Sequence, residues 1–162
     1  METLLPIAAR AGTLLKARGE TIAVAESSAG GLVSAALLAV PGASAYFLGG
    51  TVVYTRAARE ALLAIPAEKL DGIRPASEPY AALLAESVRA KLGTTWGLGE
   101  TGATGPTGNR YGDPAGHACI AVAGPVGRTL MIRTGSDDRI GNMRTFGARL
   151  LTLLVECLEA GR

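Results

Sequence analysis

The sequence predicts an α/β protein of three layers, α/β/α, with helices on both faces of a mixed, mostly parallel sheet. Three observations carry this expectation. Short β-branched or apolar runs alternate with helical stripes through residues 1–101, the pattern of parallel strands joined by crossover helices. Two later strand-like runs flank Gly124-Pro125-Val126-Gly127, so one pair is an antiparallel hairpin. The 162 residues, 48% hydrophobic and 19% charged, suit one core. With no linker, repeat or low-complexity stretch in view, a single domain over 1–162 is expected.

The elements follow in order. Residues 3–17 carry a helical stripe through Leu4, Ile7, Ala8, Ala11, Leu14 and Leu15, with Pro6 in the first turn and Arg18-Gly19 as the stop. Residues 21–25 are short and β-branched, a strand. Residues 30–39 form an alanine/leucine helix halted by Val40-Pro41-Gly42. Residues 45–55 read as a strand entered through a bend, with Gly49-Gly50 inside it. A short helix over 57–64 is closed by Pro66. Ser77 is the N-cap of another helix, with Pro79 in its first turn, running to about Lys91. A strand over 94–101 leads into a long loop over 102–116. Strands over 117–123 and 129–134 make the hairpin, and Asp137-Asp138 opens a last helix over 140–159, acidic residues at its positive end.

Composition excludes several classes. A formal charge of +2 without a basic stripe argues against a nucleic-acid polymer as partner. Residues 1–16 lack the plan of a signal peptide, and no apolar run reaches the ~18 residues of a membrane span. Cys119 and Cys157 are far apart and show no metal-ligand spacing, so buried reduced thiols and a cytoplasmic location are expected. His117 stands without partners for a metal site and reads as structural. No metal and no cofactor is expected.

Two glycine-rich stretches carry the chemistry. The first, Ala25-Glu26-Ser27-Ser28-Ala29-Gly30-Gly31, joins a strand to a helix, where such sheets usually bind ligands. Ser27 or Ser28 is either the helix cap or a nucleophile near N–H groups able to hold an oxyanion. Glu26 could orient the turn, hold a water, or pair with an arginine. This stretch holds no Gly-x-Gly-x-x-Gly, and no phosphate-loop signature occurs anywhere in the chain. The second stretch begins Thr101-Gly102-Ala103-Thr104-Gly105-Pro106-Thr107-Gly108 and runs on to Gly116. Loops this long are more often functional than passive, and Thr104, Thr107, Arg110 and successive N–H groups could form an anion nest.

Together these residues resemble the CinA C-terminal domain family, the nicotinamide-nucleotide amidases. The family's Glu-Ser-Cys-Thr-Gly-Gly is matched by Glu26-Ser27-Ser28-Ala29-Gly30-Gly31, and its Pro-Gly-Ala-Ser by Pro41-Gly42-Ala43-Ser44. An aromatic pair and Gly-Gly-Val-Val-x-Tyr follow as Tyr46-Phe47 and Gly49-Gly50-Thr51-Val52-Val53-Tyr54. Gly-Ile-Ala-Gly-Pro-x-Gly corresponds to residues 102–108, Lys-Pro-Val-Gly to residues 113–116, and Gly-Asp-Arg to residues 137–139. The match runs in order along nearly the whole chain.

The resemblance implies a three-layer α/β/α fold and hydrolysis of the carboxamide of nicotinamide mononucleotide to nicotinic acid mononucleotide and ammonia. It implies metal-free chemistry, a small mononucleotide as partner, and pairing or larger homo-oligomers. Ser27 would be the nucleophile, with Tyr54 and Arg59 beside it. Glu26, Ser28, Gly30, Gly31, Ser44, Gly102, Thr104, Gly105 and Pro106 would bind substrate. The family's Tyr-Ser-Asn-x-x-Lys is Tyr54-Thr55-Arg56-Ala57-Ala58-Arg59 here, so arginine stands where the lysine base would be. A guanidinium is always protonated in proteins, so arginine takes no proton from serine near neutral pH. Arg59 would then orient a phosphate or stabilise an oxyanion while Tyr54, Glu26 or His117 relays the proton. The other reading is a nucleotide-binding or sensor module without turnover.

Overall fold

The computed structural model describes residues 1–161. Five strands, β1 (Ile22–Glu26), β2 (Phe47–Val52), β3 (Trp96–Ala103), β4 (His117–Ala123) and β5 (Arg128–Arg133), form one sheet in the order β2-β1-β3-β4-β5. β1 pairs in parallel with β2 and β3, whereas β4 is antiparallel to both β3 and β5. Only β4 therefore runs against the rest, and the sheet is the mixed, mostly parallel one the sequence predicts.

Strand alternation sorts side chains to two faces. Ile22 and Val24 of β1 join Leu98, Ile120 and the helices α1 (Leu5–Arg18), α2 (Leu32–Leu38) and α5 (Arg139–Ala160) in the larger core. Ala23 and Ala25 face the other way, toward α3 (Arg56–Leu63) and α4 (Glu78–Leu92) through Leu63, Tyr80, Leu84 and Val88. Small residues let α4 lie flush on the sheet. A Cβ at Gly97 or Gly99 would sit 2.1 Å from the carbonyl oxygen of Ala85 or Ala81 respectively. Ser77 caps α4 as expected, its hydroxyl oxygen accepting the Tyr80 N–H.

Three elements, α2, β2 and β3, differ in extent from the sequence reading for physical reasons. α2 starts at Leu32 rather than residue 30, because Gly30 and Gly31 take positive φ, 67° and 98°, and extend the preceding turn. β2 starts at Phe47 and ends at Val52, after a 3-10 turn over Ala43–Ala45. Tyr46 interrupts there, fully buried with its hydroxyl donating to Leu37 O at 2.6 Å. β3 continues to Ala103 because its ladder with β4 extends to the pair Ala103 and His117, so the loop proper spans 104–116. Both cysteines are free and buried. No helix of the described residues is long and apolar enough to cross a membrane.

The carboxyl ends of β1, β2 and β3 point to one edge of the sheet. The Ser27 turn, residues 53–55 and the 104–116 loop all leave from it, which places the candidate site there.

Candidate functional site

The Ser27 turn is held from beneath by two buried acids. Glu26, fully buried, accepts from the N–H groups of Val33 at 3.2 Å and Ser34 at 3.0 Å and from the Ser34 hydroxyl at 2.7 Å. It therefore satisfies the first turn of α2, where donors lack helical partners and a negative charge is favoured. Of the three sequence alternatives for Glu26, orienting the turn is what the structure has, and the expectation that it binds substrate is corrected. Neither serine caps the helix.

Glu100, on β3, was not singled out from the sequence. It too is fully buried, and its Oε2 accepts from the N–H groups of Ser27 at 2.9 Å and Ala29 at 2.8 Å. Its Oε1 accepts from the Ser28 hydroxyl. Burial, with a smaller push from the neighbouring Glu26, raises its carboxyl to about 7 against the pull of these three bonds. Ser28 is thus committed to Glu100 and buried, not turned to a ligand. Of the N–H groups near the serines, those of Ser27 and Ala29 are already bonded to Glu100 and are not open to an oxyanion. The sequence signal was a lone acid in the uncharged run Trp96–Ala103.

On the other side of the sheet edge, Ser27 opens onto a cleft of about 600 Å³. Val53, Tyr54, Thr55, Arg56 and Arg59 form one wall, and Pro75, Ala76 and Tyr80 another. Thr101, Gly102 and Asn109 to Tyr111 complete it. The charged side chains of this lining are Arg56, Arg59 and Arg110, and it contains no carboxylate, imidazole or amine. Arg59 donates through Nη1 to the Tyr80 hydroxyl oxygen at 3.2 Å, its guanidinium 5.8 Å from the ring centre. Arg59 Nε is buried without a hydrogen-bond partner among the described residues. Arg110 lies 5.9 Å from the Tyr111 ring centre.

Ser27, Tyr54, Arg59 and Gly102 are therefore brought together as the sequence suggested. Arg56, Tyr80, Asn109, Arg110 and Tyr111 join them, of which only Arg110 was anticipated as a charge. Other expected contacts move. Thr104 is buried with its carbonyl accepting from Asn142 Nδ2 at 2.8 Å, and Gly105 O accepts from Arg139 at 2.6 Å. These two, with Pro106, Gly30 and Gly31, are not on the cleft wall; the loop reaches the cleft through Asn109 to Tyr111 instead. Ser44 lies before β2, at the amino edge of the sheet, a strand's length from Ser27. The motif containing it shapes the entry to β2.

The 104–116 loop is pinned from inside and behind. Asn109 and Asp113 bond each other, Nδ2 to Oδ2 at 2.9 Å, and Arg74 bridges both oxygens of Asp113 at 2.7 and 3.2 Å. The Arg74 guanidinium holds the Asp113 carboxyl below its ordinary range. His117, buried off the cleft, bonds Ala76 O through Nε2 at 2.8 Å, so its part is structural. Cys119 beside it is pushed up to about 11 by burial, an unreactive thiol.

Residues 5–158 match the model of the CinA C-terminal domain family. A CinA-like protein of Anaeromyxobacter sp. is 44% identical over 140 residues, which is 86% of this chain and 34% of that protein. One from Parasynechococcus marenigrum is 39% identical over 146 residues, 90% of this chain and 34% of that protein. The chain thus spans about a third of the length of these curated relatives. Among solved structures, a CinA superfamily protein of Klebsiella pneumoniae matches with a TM-score of 0.89 at 25% identity, over 97% of this chain and 98% of that one. The competence/damage inducible protein CihA of Agrobacterium tumefaciens matches with a TM-score of 0.78 at 26% identity, over 98% and 93%. The ordered motifs, the sheet and these matches agree: the chain belongs to the CinA C-terminal domain family.

Proposed function

We propose that the protein hydrolyses the carboxamide of nicotinamide mononucleotide, or of a closely related anionic amide, with Ser27 as nucleophile. The observation that carries this reading is Ser27 in a cleft whose charged lining is three arginines and no acid. Guanidinium groups suit a phosphate ester, and Tyr54 and Tyr111 offer faces for a heteroaromatic ring. The buried, unpartnered Nε–H of Arg59 is a donor left for ligand oxygen.

Ser27 Oγ attacks the carboxamide carbon, and the carbonyl oxygen becomes an oxyanion countered by Arg59. The Tyr54 phenol takes the serine proton on its oxygen while passing its own hydrogen to the amide nitrogen. The C–N bond then breaks and ammonia leaves. Water attacks the acyl-serine ester, releasing the carboxylate and restoring the hydroxyl. Tyr54 is preferred over Tyr80 for the relay because the Tyr80 oxygen already receives Arg59.

Ammonia release from nicotinamide mononucleotide tests the reading. Ser27→Ala should lower it by at least ~10²-fold, and equal activity in that variant removes the serine mechanism. A second reading, nucleotide binding without turnover, is favoured by the absence of an amine, imidazole or carboxylate on the cleft wall. Calorimetric binding with no ammonia release, unchanged in Arg59→Lys, would decide for it.

A further inference from the structure

Glu26 and Glu100 end up on the same side of neighbouring strands, Glu100 one residue past the last paired positions, Ala25 and Gly99. The role of Glu26 is accounted for by α2. Glu100 bonds no helix. All three of its hydrogen bonds go to the turn that carries Ser27, one oxygen gathering the N–H groups on either side of Ser28. For stability alone, an apolar residue would serve a buried strand position better than an acid, whose desolvation is costly.

We propose that Glu100 is a positioning residue for Ser27: its ionised carboxylate fixes the backbone on both sides of Ser28 and so holds the Ser27 hydroxyl toward the arginine-lined cleft. The inference rests on Ser27 being the nucleophile. Hydrogen bonds accepted by a carboxylate are about twice as strong as those accepted by a neutral group. Protonation reverses the Ser28 bond, since the acid must then donate to the hydroxyl oxygen, and weakens both N–H bonds. Both forms are populated near neutral pH, because burial raises Glu100 to about 7.

The surroundings leave this equilibrium to the turn. Glu26 on β1 is the charge that acts on Glu100, β4 sets apolar Ile120 opposite it, and α2 offers backbone N–H groups to Glu26. From α5, Asn142 and Arg139 go to the carbonyls of Thr104 and Gly105. Among the described residues no cation bonds Glu100.

The test is the rate at which Ser27 is labelled by a fluorophosphonate, located by peptide mass. In that reaction Ser27 Oγ displaces fluoride from phosphorus and its proton passes to solvent. Between about pH 5.5 and 9 the parent's labelling should rise through a step near neutrality, by roughly tenfold. Glu100→Gln is isosteric: its Oε1 can accept both N–H groups and its Nε2 can donate to Ser28. Like the protonated acid it is neutral, so it should label within about threefold of the parent's slow acidic rate at every pH and lack the step. Glu100→Ala leaves three donors unpaired and should label at least ~10-fold more slowly throughout. A step of parent size or the parent's alkaline rate in Glu100→Gln, or parent rates in Glu100→Ala, overturns the inference, and the glutamine arm decides even where the alanine variant fails to fold. No labelling of Ser27 in the folded parent removes the nucleophile reading itself, and this inference with it.

Discussion

Arg59 separates charge from basicity. In a position where the resembled motif has lysine, it supplies a permanent cation and no proton acceptor. Arg59→Lys is therefore expected to keep nucleotide binding within about threefold and raise ammonia release, since a lysine amine lowered by burial can act as base. Steady-state assays on the two proteins check it, and a fall in turnover would mean that the guanidinium fork itself matters. Glu100 offers a second residue-scale prediction. Its carboxyl holds its proton up to about 7 in the fold, against an ordinary 4.5. Between those values the folded protein binds more proton than the unfolded chain, so stability falls as pH rises from about 4.5 to about 7 and then levels. The loss is on the order of 3 kcal/mol. Denaturant unfolding across pH should show this slope in the parent and a flatter one in Glu100→Gln. The form that best fixes Ser27 is thus the form that stabilises the fold least.

Among elements, the Ser27 turn and α4 matter most. The turn sits across the sheet edge, with its acids on the α2–α5 side and the cleft on the α4 side. α4 brings Tyr80 to the cleft only because Gly97 and Gly99 admit it closely. Gly99→Ala puts a methyl against the Ala81 carbonyl and should cost about 1–3 kcal/mol by denaturant unfolding. It should also weaken nucleotide binding by displacing Tyr80; loss of stability with binding intact would free α4 from any part in the site. The helices were legible because their stripes and caps are local, Ser77 and Pro79 above all. Glu26 as the partner of the α2 N–H groups was not, since that contact depends on how two glycines bend the chain between them.

The whole molecule carries a formal charge of only +2, yet three arginines meet around one cleft. Attraction for a phosphate there is local and screened by salt. Binding of nicotinamide mononucleotide should weaken by roughly threefold or more between about 0.05 and 0.5 M salt, while its dephosphorylated riboside should respond little. Arg110→Ala should bring the two ligands together by ~3–10-fold. Equal salt dependence for both ligands, measured by calorimetry, would place the phosphate elsewhere.

By itself the sequence determined the alternation of elements, the hairpin, the two glycine-rich loops and Ser27 between them, because periodicity, caps and turn residues act within a few positions. The tertiary structure decided which groups face that serine. Arg56, Tyr80 and Tyr111 converge on it from separate segments, Thr104 and Ser44 are carried away, and Glu100 arrives beneath it from a strand more than seventy residues on. Such meetings are fixed by strand order and helix packing across the sheet, which no local spacing encodes.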